Sequence, residues 1–131
     1  MEYVKSFREL EVYKLSRQLS GEIFEISKKF PKEEMYSLTD QIRRSSRSVG
    51  AQIAEAWAKR KYEKHFVSKL TDADGEQLET QHWIETALDC SYISKEIADN
   101  LLNKYFSIGK MLNSMLHKAQ SFCNGLALKE N

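Results

Sequence analysis

Proline and glycine are scarce in this sequence, and long apolar runs are absent. The chain has one proline, Pro31, and five glycines among 131 residues. A fold of strands joined by tight turns needs a turn signal about every 8–12 residues, so this scarcity argues against an all-β architecture. No stretch approaches the ~18 consecutive apolar residues of a membrane span, and the first residues, MEYVKSFRELE, contain no apolar signal-peptide core. We therefore expect a cytoplasmic protein built from long helices.

Cysteine is also rare, since the chain has only Cys90 and Cys123 and neither belongs to a CxxC pair. A disulfide framework would be unusual in the cytoplasm, so we expect both to be buried thiols or thiols without a functional role. Hydrophobic residues make up 41% of the chain and charged residues 30%, a balance typical of globular proteins and not of disordered ones. This length suits a single domain covering residues 1–131.

Apolar residues recur every three or four positions in four segments, which is the spacing of amphipathic helices. These segments predict helices over about residues 7–30, 37–60, 62–90 and 94–124. Ser6, Ser37 and Ser94 are candidate N-caps, and Gly125 is a candidate helix stop. Because the connections are short, neighbouring helices should be antiparallel, and the sequence predicts an all-α, up-down four-helix bundle.

Charge is unevenly distributed, although the net charge is only +1. Residues 40–70 hold eight Lys/Arg against three Asp/Glu, whereas residues 71–99 hold one Lys against eight Asp/Glu. On the second helix the arginines share a face with small residues such as Gly50 and Ala54, which would let a phosphate backbone or another helix come close. The residues predicted to contact nucleic acid are Arg43, Arg44, Arg47, Lys59, Arg60, Lys61 and Lys64.

The arginines of the second helix also fit two roles that need no ligand. They could form a solvated helix face, or they could form ion pairs with the acidic third helix inside the monomer. Glycine in a helix costs about 1 kcal/mol relative to alanine, so Gly50 and Gly75 indicate close helix packing inside the monomer.

Several residues away from the core faces indicate self-association. Trp83 shares a face of the third helix with three carboxylates, and the fourth helix has a second apolar line. An acidic face on one helix and a basic face on another suit a ring of subunits in head-to-tail contact. The residues predicted at a subunit interface are Trp83, Asp72, Glu76, Glu79, Leu102 and Phe106. The alternative for Trp83 is partial burial against the first or fourth helix.

The sequence offers no pattern for catalysis or metal binding. None of the three histidines has a second ligand-type residue at metal spacing on a clear inward face, and HExxH, GxxxxGK[ST] and GxGxxG motifs are absent. Glu79 and His82 have the i, i+3 spacing of di-iron bundles, but those sites need this motif on two helices. We expect no enzyme activity, no metal and no cofactor, and a small metalloenzyme is the least favoured interpretation.

Residues 38–60 read LTDQIRRSSRSVGAQIAEAWAKR, and this segment resembles the signature of a family of bacterial helical-bundle proteins. That family was first noticed as reading frames inside intervening sequences of large-subunit ribosomal RNA genes. That signature is close to L-x-x-Q-[IL]-x-R-A-x-x-S-[IV]-x-x-N-I-A-E-G. The matching residues are Gln41, Ile42, Arg44, Ser48, Val49, Ile53, Ala54 and Glu55. Gln52 stands where the family has asparagine and Ala56 where it has glycine, and the resemblance covers about residues 7–124.

The resemblance implies a helical bundle that assembles into a homopentameric ring. The family is also similar to the accessory protein of diversity-generating retroelements, a pentameric barrel that binds nucleic acid and a reverse transcriptase. Together with the basic second helix, this favours a non-enzymatic oligomer that binds RNA or DNA. The alternative function is a protein-interaction scaffold whose basic and acidic faces mate between subunits or with a partner protein.

Overall fold

The computed structural model describes residues 4–124, and the regular structure in that range is helical. Its five α-helices are α1 (Glu11–Ser27), α2 (Leu38–Ala58), α3 (Glu63–Asp89), α4 (Lys95–His117) and α5 (Ala119–Cys123). Short 3₁₀ turns, Phe7–Glu9 and Lys32–Glu34, precede α1 and α2. The helices α1 and α3 each pack against both α2 and α4, so the four long helices form a bundle. The predicted all-α class is confirmed.

The apolar stripes of the four long helices meet in one core. Burying a large aliphatic or aromatic side chain stabilises the folded state by about 1.5–3 kcal/mol, so this shared core holds the bundle together. None of the helices within residues 4–124 has both the length and the apolar character needed to cross a membrane. The largest side chains buried in the core are Tyr105, Phe66, Phe122, Leu10, Leu19, Ile23, Ile53, Leu70, Ile84, Ile108, Leu112 and Met115.

The first helix begins later than predicted, and the second begins where predicted but without a side-chain capping bond. The Ser6 hydroxyl accepts a hydrogen bond from the Arg8 amide at 3.2 Å, but it caps the 3₁₀ turn. Leu10 is extended, with ψ of 130°, so α1 begins only at Glu11. Ser37 occupies the predicted N-cap position of α2, but its hydroxyl donates to a Glu34 carboxylate oxygen at 2.7 Å and makes no capping hydrogen bond.

The last predicted helix, 94–124, is divided in two. Ser94 is confirmed as its N-cap, because its hydroxyl accepts a hydrogen bond from the Ile97 amide at 3.1 Å. At Lys118 the backbone leaves helical geometry, with φ of −103° and ψ of 18°, and α5 follows. The ring of Phe122 stacks on Phe66 with centroids 5.7 Å apart, which anchors α5 to α3. The predicted stop at Gly125 lies outside the described residues.

Two glycines on neighbouring helices have different surroundings. A Cβ at Gly50 would lie 3.2 Å from the Ser16 hydroxyl oxygen and 3.6 Å from the Tyr13 ring, so α1 and α2 approach closely there, as predicted. A Cβ at Gly75 would meet no atom within 4 Å. The prediction of close packing inside the monomer is therefore wrong for Gly75, which lies on an exposed position of α3.

Candidate nucleic-acid interface

Arg43 and Arg47 lie on the side of α2 that faces α1. Their guanidinium carbons lie 4.7 Å and 5.5 Å from the centroid of the Phe24 ring of α1. Arg43 Nε also donates a hydrogen bond to the Ser27 hydroxyl at 2.7 Å. A guanidinium over an aromatic face is held in place and keeps its charge. The two arginines are thus oriented by contacts with α1.

An open groove with a volume of about 260 Å³ runs between α1 and α2, and we call it the α1–α2 groove. Two arginines line it, Arg17 from α1 and Arg47 from α2, together with the aromatic residues Phe7 and Tyr13. Its other lining residues within the described range, 4–124, are serine, alanine or glycine, so no carboxylate of that range lines it. The groove therefore combines two positive charges with a surface of small side chains.

Arg44 points away from this groove and towards α3. Its guanidinium donates to a Glu76 carboxylate oxygen at 2.9 Å and also to Glu79. These hydrogen bonds, that to Glu79 above all, raise the pKa of the Arg44 guanidinium. Hydrogen bonds from Trp83 and Arg44 lower the pKa of the Glu79 carboxyl. Arg44 thus forms the internal ion pairs that were the alternative to a role in nucleic-acid binding.

The remaining cations predicted to bind nucleic acid lie where α2 meets α3. Because α2 ends at Ala58, Lys59 and Lys61 are exposed in the connection, and Lys64 is exposed in the first turn of α3. The Arg60 guanidinium lies 3.6 Å from the Trp57 ring centroid, and its Nε donates to the Trp57 carbonyl oxygen at 2.9 Å. Burial lowers the pKa of Arg60. Only the three lysines of this group present exposed charge.

The acidic residues predicted at a subunit interface, and Trp83 with them, lie on the α2 side of α3. Glu76 and Glu79 bind Arg44, while Asp72 is exposed beside the same ion pairs. Trp83 is half-buried against the core, and its indole N–H donates to Glu79 at 3.0 Å. The monomer therefore shows partial burial of Trp83, whereas its burial against the first or fourth helix stays a prediction.

The apolar residues predicted at that interface lie instead on α4. Leu102 is half-buried, and Phe106 is 52% exposed. Phe106 and Leu78, which is 54% exposed, line an open groove of about 510 Å³ between α3 and α4, which we call the α3–α4 groove. The predicted interface residues are thus divided between two surfaces of the bundle.

Arg17 and Leu78 were not singled out from the sequence. Arg17 stands in a segment with no net charge, and it gains significance only because α1 packs beside the arginines of α2. Leu78 is a single apolar residue next to the buried stripe of α3. Its exposure depends on how α3 is rotated against α4, which periodicity alone does not determine.

The histidines, cysteines and carboxylates of the described residues are potential metal ligands or nucleophiles. Within residues 4–124, no group of three or more His, Cys, Asp or Glu side chains is placed to hold a metal ion. Cys90 and Cys123 are both free thiols. Burial raises the pKa of the Cys123 thiol, which disfavours the thiolate form that a nucleophile needs.

Comparison with known proteins identifies the family. The model of the 23S rRNA-intervening sequence protein family matches residues 8–114, from the 3₁₀ turn before α1 into the last turn of α4. A crystal structure of a protein with unknown function from the S23 ribosomal protein family of Bacteroides thetaiotaomicron is 30% identical to this chain. The match has a TM-score of 0.73 and covers 81% of this chain and 95% of that chain. No curated protein matches the sequence. Because the family model spans most of the sequence, the chain belongs to the 23S rRNA-intervening sequence protein family.

Proposed function

We propose that this protein is a non-enzymatic, oligomeric helical bundle that binds RNA or DNA through phosphate contacts on the basic face of α2, where α2 borders α1. The observation that carries the proposal is the α1–α2 groove, which Arg17 and Arg47 line and which no carboxylate of the described residues lines. Guanidinium groups bind phosphate oxygens through paired N–H donors, and such contacts are largely independent of sequence. The family description refers to 23S rRNA, which makes RNA the first ligand to test.

The charges around the groove divide the predicted contact residues into two groups. Arg47 is exposed, and Arg43 contacts Phe24 and Ser27 of α1. These two arginines, with Arg17, form the centre of the proposed interface, and the exposed lysines Lys59, Lys61 and Lys64 extend it. Arg44 and Arg60 contribute less, because Arg44 is bound by two carboxylates and Arg60 by Trp57.

We further propose that the bundle is antiparallel and that it assembles in the cytoplasm as a homopentameric ring. Antiparallel packing of α2 and α3 is supported by their ion pairs, since Arg44 binds Glu76 while Glu55 lies 3.6 Å from Lys69. The exposed apolar side chains of Leu78 and Phe106 support a subunit contact at the α3–α4 groove. Free thiols at both cysteines suit a reducing compartment.

The proposal is tested by titrating a fluorescently labelled structured RNA with the protein at low and at physiological salt, following anisotropy. We expect submicromolar affinity at low salt and a steep loss at physiological salt, because phosphate contacts release counterions. The double variant Arg43→Ala/Arg47→Ala should bind at least about tenfold more weakly, since each tenfold corresponds to about 1.4 kcal/mol. Its circular dichroism should remain that of the wild type.

The double variant Lys29→Ala/Lys32→Ala is the matched control, because it removes the same charge from exposed positions outside the groove. It should bind RNA as the wild type does. Equal loss in both double variants would mean that only overall charge matters and would overturn the assignment to this face. Absence of binding at low salt would overturn the nucleic-acid function itself.

The second candidate function is a protein-interaction scaffold, and the exposed apolar pair Leu78 and Phe106 favours it. In a scaffold, the basic face of α2 would mate with an acidic face of another subunit or of a partner protein. High salt, or the change Arg43→Ala/Arg47→Ala, would then lower the mass of the particle in solution. In the nucleic-acid proposal neither treatment changes that mass, so light scattering distinguishes the two functions.

A further inference from the structure

Building on the proposed nucleic-acid function, we infer that the α1–α2 groove holds an unpaired nucleotide, so that the strand bound there is single-stranded. The inference depends on three features of one groove: its two arginines, its two aromatic residues and its small volume. Each feature alone fits several ligands. Their combination fits a nucleotide whose base is not stacked in a duplex, with the phosphate at the arginines and the base at the aromatic rings.

The two positive charges of the groove favour binding of a phosphate group. Arg17 and Arg47 come from different helices, both are exposed, and neither forms an ion pair with a residue in the range 4–124. The hydroxyls of the three lining serines donate to backbone carbonyls of their own helices, so they offer no proton to a ligand. The guanidinium groups are therefore the main donors facing the groove, and an anion between the two helices would compensate both of them.

The two aromatic residues of the groove favour binding of a planar nucleobase beside that phosphate. The Phe7 and Tyr13 rings lie edge to face with centroids 4.8 Å apart, and both line the groove. The Tyr13 hydroxyl has no hydrogen-bond partner within residues 4–124, so it is available to a base or sugar. Stacking of a base on an aromatic side chain is worth about 1–3 kcal/mol and requires a base that has left its duplex stack.

The size and shape of the groove favour part of a strand over a free small molecule. Its volume of about 260 Å³ lies below the roughly 300–1,000 Å³ of pockets that enclose a whole small ligand. Gly50 brings α2 close to Ser16 and Tyr13, so the two helices approach each other closely within the groove. A small, open groove lets the backbone of a strand enter and leave while one nucleotide occupies it.

The test compares a labelled unpaired RNA oligonucleotide with the perfectly paired duplex of the same sequence, at low salt and by anisotropy. The wild type should bind the unpaired strand at least about tenfold more tightly, a difference of about 1.4 kcal/mol. The variant Ala51→Leu fills the groove without changing charge, and leucine is a good helix former. It should lose this preference by weakening binding to the unpaired strand.

The variant Ala58→Leu makes the same change at an exposed position of α2 that does not line the groove, and it should keep the preference. Equal affinity of the wild type for strand and duplex, or an unaffected Ala51→Leu variant, would overturn the inference and leave the proposed function standing. Competition by a nucleoside monophosphate as efficient as by the strand would assign the groove to a free nucleotide and also overturn it. No binding of either RNA at low salt would overturn both proposals.

Discussion

Three arginines within little more than one turn of α2 have three different environments. Arg43 is held by Ser27 and Phe24, Arg44 by two carboxylates of α3, and Arg47 lines the α1–α2 groove. In the sequence all three belong to one basic cluster. A helix turns about 100° per residue, so adjacent positions such as 43 and 44 face different neighbours. The neighbouring helix therefore decides which arginine stays available to a ligand.

Replacement of Arg44 tests this difference. Arg44→Ala should lower the free energy of unfolding at neutral pH by about 0.2–1 kcal/mol, the range measured for exposed ion pairs. It should leave RNA affinity within about twofold of the wild type, since its charge is already compensated. Urea denaturation and RNA anisotropy measure the two effects, with Lys32→Ala as the control. Loss of RNA affinity as large as that in Arg47→Ala would contradict the division of roles.

The same ion pairs predict a pH dependence with a definite sign. Hydrogen bonds from Trp83 and Arg44 lower the pKa of the folded Glu79 carboxyl below its ordinary value of 4.5. The stabilisation from Glu79 is therefore fully present above pH 4.5 and is lost as the pH falls through the lower folded pKa. The difference in unfolding free energy between wild type and Glu79→Gln should accordingly shrink in acid. A difference that grows as the pH falls would contradict this assignment.

At the scale of the helices, glycines on α3 and α4 show which surfaces are already packed. Gly75 has open space around the position of a Cβ, whereas a Cβ at Gly109 would lie 3.1 Å from Gln77 Nε2. That amide also donates to an Asp74 carboxylate oxygen at 3.0 Å, so it is not free to shift without loss. The two glycines thus differ in their cost of replacement, although both lie inside helices.

Gly75→Ala should raise the free energy of unfolding by up to about 1 kcal/mol, because alanine has the higher helix propensity and meets no neighbour. Gly109→Ala is the matched comparison, and its gain should be smaller because the new methyl group displaces the Gln77 amide. Urea denaturation under identical conditions measures both. Destabilisation by Gly75→Ala would show that something packs over this position.

The sequence predicted the elements better than their ends. Repeating apolar positions were sufficient for four long helices, and Ser94 was found because its side chain caps the backbone only three residues ahead. The break at Lys118 was missed, since Phe122 continues the apolar spacing beyond it. The start of α1 was missed because Ser6 caps a 3₁₀ turn and not the helix. The local sequence does not distinguish a serine that caps a 3₁₀ turn from one that caps an α-helix, or a continuous helix from one that is broken.

The candidate site was only partly predictable, for a related reason. Arg43 and Arg47 were identified from the charge of their own segment, but Arg17 becomes part of the same surface only through the packing of α1 on α2. The position of a residue around its helix can be predicted from the sequence. The identity of the facing helix depends on tertiary contacts, which a single sequence does not display.

At the scale of the whole molecule, the exposed apolar pair Leu78 and Phe106 should mediate self-association. The double variant Leu78→Glu/Phe106→Glu should keep its helical circular dichroism and show a lower mass by light scattering, because burying a carboxylate in a subunit contact is unfavourable. Tyr36→Glu, at a position 89% exposed on another part of the surface, is the control. An unchanged mass in the double variant would contradict a contact at the α3–α4 groove.

Self-association and RNA binding are linked in this proposal. A ring of identical subunits repeats one basic groove several times, and multiple weak contacts then act together on one RNA. The double variant Leu78→Glu/Phe106→Glu, although it alters no arginine, should therefore weaken RNA binding. Affinity that is independent of assembly would show that one bundle binds RNA on its own.

The salt dependence of RNA binding tests the central claim most directly. The measurement is the affinity for one single-stranded RNA oligonucleotide at several salt concentrations, for the wild type, Arg47→Ala and Arg44→Ala. Each phosphate contact to a single strand adds about 0.7 to the slope of log affinity against log salt. We predict a slope smaller by about 0.7 for Arg47→Ala and an unchanged slope for Arg44→Ala. Equal slopes in all three proteins would contradict phosphate binding in the α1–α2 groove.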